Sequence, residues 1–272
     1  MNYRPKLIAT DLDGTIVQHS GEITDRTKDA FNKANDLGIE IFFVTGRPPR
    51  WMPEIKETFD YGKAICGNGA MLWDLHEERV LEEWLIPIDA QLQTVDRLRS
   101  SIPEATFAVE SHGYFHRETK YLARWDAGLD LHGVPDIAEI IKEPALKLLV
   151  RSADQSLSSD EMLEIAHRDL TDLVTVTHSN SHDSVLEISA LGISKGATLA
   201  KIAERHGIGP EDSVAFGDNP NDFSMLKWAA RSYAMADGHP DGSKHAKFTA
   251  APCVEDGVAQ VIEELLKLPV RS

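Results

Sequence analysis

The sequence predicts an α/β protein, a parallel sheet with helices on its faces, interrupted by an inserted α+β domain. Three observations predict it. Toward both ends of the chain, short apolar runs give way to a polar or glycine turn and then to a helical pattern. From about residue 84 to 187 the pattern changes to alternating, two-sided strands. Finally, carboxylates directly follow apolar runs in each flank, in Asp11-Leu12-Asp13-Gly14-Thr15 and in Gly217-Asp218-Asn219-Pro220-Asn221-Asp222. The two flanks therefore read as one folding unit with one site.

The elements follow in order. Leu7-Ile8-Ala9-Thr10 precedes Asp11, and Ile39 to Val44 precedes Thr45-Gly46-Arg47. Ala64-Ile65-Cys66 precedes Gly67-Asn68-Gly69, and Ser213-Val214-Ala215-Phe216 precedes Gly217-Asp218. Short buried runs punctuated by helices point to a parallel sheet. Thr24 is suited to cap a helix that Gly38 stops, with Ala30, Phe31, Ala34 and Leu37 on one face. Residues 195–206 and 257–268 give two further amphipathic helices. In the middle, strands are expected at 106–109, 113–116, 146–150, 174–177 and 185–188, with helices at 89–100 and 159–170. The division is thus 1–83 and 188–272 for the outer domain, and 84–187 for the inserted one.

Bulk properties narrow the function. The 272 residues carry a net charge of −16. Such a surface disfavours nucleic acid and anionic membranes as partners. An anionic substrate would then need a local cation. Two distant cysteines, Cys66 and Cys253, imply no disulfide framework and suit a reducing cytoplasm. The apolar run before Thr10 is too short for a signal-peptide core, and the Ile39–Val44 run is broken by Glu40.

In an open parallel sheet, ligands bind beyond the carboxyl ends of the strands. The polar groups after the four runs are Asp11 and Asp13, Thr45, Asn68, and Asp218. At a strand end, residues i and i+2 face one side, so Asp11 and Asp13 could share a task. One carboxylate can attack phosphorus while the other handles the leaving-group proton. Paired carboxylates also suit Mg²⁺, with Asp218 as the remaining protein ligand. Gly14 lets the chain turn. Lys195 begins a helix, where a cation opposes the dipole unless it serves an anion. Arg47 has two readings, an approach to phosphate or a pairing with acidic neighbours.

These motifs resemble those of the haloacid dehalogenase-like hydrolases, in their Cof-type (subfamily IIB) branch of sugar-phosphate phosphatases. Asp11-Leu12-Asp13-Gly14-Thr15, Val44-Thr45-Gly46-Arg47, Ile193-Ser194-Lys195-Gly196 and Gly217 to Asp222 match that family's four motifs in order. Gly67-Asn68-Gly69-Ala70 and Asp256-Gly257-Val258-Ala259 resemble two secondary signatures. The resemblance implies a Rossmann-like core with a C2-type cap that closes over the site. It implies Asp11 as nucleophile, Asp13 as acid/base, and Mg²⁺ held by Asp11, Asp218 and the backbone carbonyl of Asp13. Thr45, Gly46, Asn68, Lys195 and Asn221 would bind the phosphoryl group, and Asp222 would support them. The implied reaction is hydrolysis of a small phosphate monoester from a phosphorylated metabolite. The protein would be a monomer or homodimer. A phosphomannomutase-like phosphotransferase and a non-catalytic metabolite-binding protein are the alternatives. Asp237 stands where the branch often has an asparagine, and it reads best as part of an ordinary Asp-Gly turn.

Other polar residues carry less. His112/His116 and His178/His182 have helical spacing but fall on strand or turn patterns, which argues against zinc. Tyr114, His116, Arg117 and His178 are candidates for the substrate face of the inserted domain. The five tryptophans show no stripe beside basic residues and read as core or contact residues.

Overall fold

The structure is a computed structural model that describes residues 3–102, 104–112, 114–122 and 132–271. The chain divides into two compact units. One comprises the residues up to Arg47, Trp51–Glu82 and those from Ser194 onward. The other comprises Pro48–Arg50 and Glu83–Ile193.

The first unit opens with β1 (Leu7–Thr10), α1 (Asp25–Asp36), β2 (Glu40–Val44), a short α2 (Met52–Lys56), β3 (Lys63–Cys66), β4 (Met71–Asp74) and β5 (Arg79–Glu83). The second unit supplies α3 (Ile88–Ser101), β6 (Ala105–Glu110), β7 (Phe115–Arg117), β8 (Lys147–Ser152), α4 (Ser159–Leu170), β9 (Val174–Thr177) and β10 (Val185–Ala190). The chain then returns through α5 (Lys195–Arg205), β11 (Ser213–Gly217), α6 (Phe223–Trp228), β12 (Arg231–Met235), α7 (Gly242–His245), β13 (Phe248–Ala250) and α8 (Gly257–Leu266).

The large sheet has the order β13-β12-β11-β1-β2-β3-β4-β5. It is parallel from β13 to β3. β4 then turns back antiparallel to β3. The direction of strand addition reverses at β1, which lies between β11 and β2, and a crevice opens at such a point. Register aligns the strand ends: Thr10 faces Phe216 on one side and Phe43 on the other, and Val44 faces Ile65. Asp11, Thr45, Asn68 and Asp218 therefore all emerge at the same edge.

Local chemistry explains the elements. Thr24 caps α1 by accepting from Thr27 N–H. Its hydroxyl donates to Asp256 Oδ1 at 2.6 Å, which ties the start of α1 to the residue preceding α8. Ala30, Phe31 and Ala34 are buried, with Phe31 packed on Phe43 and Phe59. Leu37 departs from the expected apolar face. It caps the helix end and is half exposed, because α1 stops at Asp36 and the chain turns at Gly38. The β4–β5 extension is also additional to the sequence reading. β5 has an exposed or half-exposed pattern and no apolar run to announce it.

The second unit is a five-stranded sheet of order β7-β6-β8-β10-β9, antiparallel throughout. Residues of α3 and α4 cover one face, where Leu98, Phe107, Leu148, Val150, Met162, Leu186 and Ile188 form its core. A capping box between Ser158 and Glu161 starts α4. The opposite alternation carries Lys147 and Glu187, paired at 3.0 Å. His178 is not on an open substrate face as expected. It is fully buried, with Nε2 2.9 Å from Asp160 Oδ1 near the start of α4, so it works inside the unit. Tyr114 is exposed and stacks on His116. Gly113 and Trp125 lie outside the described residues. No helix among the described residues is long and apolar enough to cross a membrane.

Candidate active site

The site is built where β1 ends. Asp11 N–H continues the ladder to Phe216 O at 3.0 Å, so its backbone is fixed by β11. The strand stops at Thr10, and a turn then takes over: Leu12 O accepts from the N–H groups of Thr15, Ile16 and Val17. Strand alternation therefore does not set the relation of Asp11 to Asp13. The turn buries Asp11 and leaves the Asp13 side chain 58% exposed.

Lys195 is the first residue of α5 and is fully buried. Its ammonium donates to Asp11 Oδ1 at 2.5 Å and to Asp222 Oδ1 at 2.6 Å. Placing a cation at a helix start costs energy against the dipole, and two carboxylates supply the compensation. The other oxygen of Asp222, Oδ2, accepts from the N–H groups of Asp218 and Asn219 at 2.9 and 3.0 Å. Asp222 thus shapes the loop that carries Asp218. This fits the supporting role that the resemblance implies for Asp222, and the capping-box spacing from Asn219 to Asp222 is the signal in the sequence for its hold on the loop.

Asp11, Asp218 and Asp222 each present an oxygen, and these oxygens lie within 4.8 Å of one another. Asp218 Oδ1 is buried and has no hydrogen-bond partner among the described residues. Its Oδ2 accepts from Asn219 Nδ2 at 2.6 Å. Three carboxylates face one ammonium, so the cluster lacks positive charge. Burial, then the charge of Asp222, push the Asp11 carboxyl up to about 7, although Lys195 pulls the other way. Burial, then Asp11 and Asp222, also hold the Asp218 carboxyl well above its ordinary range. Burial works against the Lys195 charge, but Asp11 and Asp222 outweigh it and keep the ammonium above its ordinary range. An orphaned carboxylate oxygen in an oxygen-only, anion-rich cluster fits a hard divalent cation.

The remaining residues surround this cluster. Thr45 is buried, and its Oγ1 accepts from Arg47 N–H at 3.0 Å. Gly46 lies between them and is partly exposed. Asn68 holds a left-handed backbone, φ 58°, and its N–H donates to Thr45 O at 3.0 Å. Asn221 Nδ2 donates to Asn68 Oδ1 at 3.2 Å, joining the loops after β3 and β11. Asp13 stands outside the acidic cluster and accepts a two-pronged bond from Arg47. Arg47 thus pairs with acidic neighbours, Asp13 first and Glu54 second. Asp237 is exposed, beyond the end of β12.

Glycines allow the close approaches. Gly14 has φ +77°, and a Cβ there would meet Asp218 Oδ2 at 2.5 Å. At Gly69, φ +112°, a Cβ would meet Ser194 O at 2.5 Å, next to Lys195.

The family of haloacid dehalogenase-like hydrolases matches residues 8–262. The chain belongs to that family. Among its relatives is the 5-amino-6-(5-phospho-D-ribitylamino)uracil phosphatase YitU of Bacillus subtilis (strain 168), 27% identical over 98% of this chain and 100% of the other. The pyridoxal phosphate phosphatase YbhA of Escherichia coli (strain K12) is 28% identical over 94% of this chain and 97% of the other. In fold, the chain is similar to SMU.1108c from Streptococcus mutans UA159, with a TM-score of 0.82, 23% identity, and coverage of 96% and 99%. Family and acidic cluster together support phosphoric-monoester hydrolase activity.

Proposed function

We propose that the protein is a Mg²⁺-dependent phosphatase of the Cof-type branch, acting on small phosphate monoesters such as sugar phosphates. The observation that carries this reading is the buried bridge of Lys195 between Asp11 and Asp222, beside the orphaned Asp218 Oδ1. It combines a carboxylate nucleophile, a fixed cation and an anionic corner suited to a divalent cation. The relatives' names, a 5-amino-6-(5-phospho-D-ribitylamino)uracil phosphatase and a pyridoxal phosphate phosphatase, support a small phosphorylated metabolite as substrate.

In this reading Asp11 attacks phosphorus, and its oxygen forms the new P–O bond as the ester bond breaks. Asp13 gives a proton to the departing alcohol oxygen. It then takes one from the water that cleaves the aspartyl-phosphate, releasing inorganic phosphate. Lys195 neutralises Asp11 and the phosphoryl oxygens. The Thr45 hydroxyl, the Gly46 backbone, Asn68 and Asn221 orient those oxygens. Asp222 holds Lys195 and the Asp218 loop. Asp11, Asp218 and the backbone carbonyl of Asp13 would hold Mg²⁺, which when bound supplies charge neutralisation at the phosphoryl group. The inserted domain, residues 84–187, is the cap that selects the leaving group. A reducing cytoplasm suits Cys66 and Cys253, both buried as free thiols.

The test is phosphate release from a panel of sugar phosphates, nucleotides and cofactor phosphates, with Mg²⁺ and with EDTA. Turnover that needs Mg²⁺ and is lost in Asp11→Asn is the expected result. Isomerised product without phosphate release would instead identify a mutase.

A further inference from the structure

Resting on the phosphomonoesterase reading above, we infer that Arg47 is a positioning residue that aims the Asp13 carboxyl group at the leaving-group oxygen. Its Nε donates to Asp13 Oδ2 at 2.8 Å and its Nη2 to Asp13 Oδ1 at 2.6 Å. The guanidinium fork therefore engages both oxygens of the carboxylate.

Ion pairs at a surface usually contribute little, since two flexible side chains must be ordered to make them. Here the ordering is already done. Arg47 N–H donates to Thr45 Oγ1 at 3.0 Å, and Arg47 O accepts from Gly67 N–H at 3.0 Å. The guanidinium carbon sits 6.0 Å from the Trp51 ring centroid, a cation–π distance. Glu54 Oε2 lies 3.4 Å from Nη1, the nitrogen that Asp13 does not use. The Arg47 side chain is only 13% exposed, whereas that of Asp13 is 58% exposed. A fixed fork thus holds a short carboxylate that would otherwise swing in solvent.

The chemistry needs that aim. In the first half-reaction one Asp13 oxygen carries a proton. It gives this proton to the ester oxygen as the P–O bond breaks and the Asp11–phosphorus bond forms. The other oxygen remains an acceptor and stays on the guanidinium, which keeps the carboxyl plane fixed. In the second half-reaction Asp13 is a carboxylate and accepts the proton of the attacking water.

A positioning role for the acid predicts dependence on the leaving group. An alkyl phosphate needs its oxygen protonated, and p-nitrophenyl phosphate does not. The experiment compares kcat/KM for glycerol phosphate and p-nitrophenyl phosphate in wild type, Arg47→Ala, Arg47→Lys and Asp13→Asn, with thermal melting of each as a check on folding. For Arg47→Ala, the loss on the alkyl ester should exceed the loss on the aryl ester by about 30-fold, a part of the roughly 10²–10⁴-fold that general-acid catalysis contributes. Asp13→Asn should show the same bias. Arg47→Lys keeps the charge without the fork and should retain the bias. Equal losses on the two esters would assign Arg47 to the phosphoryl group and overturn the inference, as would full rescue by lysine. No release from either ester by the folded wild type would overturn the phosphatase reading itself.

Discussion

Lys195 Nζ and Asp11 Oδ1 lie 2.5 Å apart in the interior, although 184 positions separate the two residues in the chain. Removing one partner of a buried pair leaves the other charge uncompensated. Lys195→Met should therefore destabilise the protein by roughly 3–5 kcal/mol in EDTA, read by urea denaturation. It should also lower kcat by about 100-fold or more with Mg²⁺ present, because the fixed cation at the phosphoryl site is gone.

The acidic cluster makes stability depend on pH. Burial first, then Asp222, raise the Asp11 carboxyl from 3.8 to about 7. Between those values the folded protein binds more protons than the unfolded chain, so stability falls as pH rises. The contribution is fully present below about 3.8 and lost above about 7. In EDTA, the stability of wild type relative to Asp11→Asn should decline from pH 5 to pH 8. A flat difference across that range would sink this account.

Asp218 carries the same stress without a lysine of its own. In EDTA, Asp218→Asn should raise the unfolding midpoint, because it removes a buried charge whose Oδ1 has no partner among the described residues. With millimolar Mg²⁺ the order should reverse, since the variant loses a cation ligand. Calorimetric melting with and without Mg²⁺ reads both arms.

Gly14 and Gly21 offer a paired test of backbone strain against collision. Both have positive φ, +77° and +85°, but a Cβ at Gly21 meets nothing within 4 Å. Gly21→Ala should cost about 1 kcal/mol and leave Mg²⁺ binding intact. Gly14→Ala pushes a methyl group onto Asp218 Oδ2, so it should cost more and weaken Mg²⁺ binding as well. Isothermal titration of the two variants separates the effects.

Much of this was legible in the sequence. The strands behind Asp11, Thr45, Asn68 and Asp218 are wholly or largely buried, so their apolar runs stand out. α4 begins and ends where its period says, because Ser158 and Glu161 form a capping box. β5 and the short β13 carry few buried residues and give no periodic signal. The sequence marks Asp11, Lys195, Asp218 and Asp222, which the structure brings together, but it does not mark their geometry. The resemblance implies Lys195 beside Asp11, as the structure has it, but no pattern tells that Asp13 turns to Arg47, since a turn rather than a strand separates the two aspartates. His178 shows the same limit: the sequence marks a polar residue near a strand end, and only packing shows it sealed against Asp160.

The sheet order sets a timetable for the ribosome. Central strand β1 is made well before its neighbour β11, which is not complete until Gly217 has been added. Until then one edge of the fully buried β1 has no partner, and Asp11 lacks Asp218. The second sheet is made in one stretch, from Ala105 to Ala190, and among the described residues its strands pair only with one another. It can fold on emergence, as local units do. Synthesis therefore completes the second sheet before β1 gains its later neighbour. Pulse proteolysis of arrested nascent chains would show protection of the middle segment before that of β1.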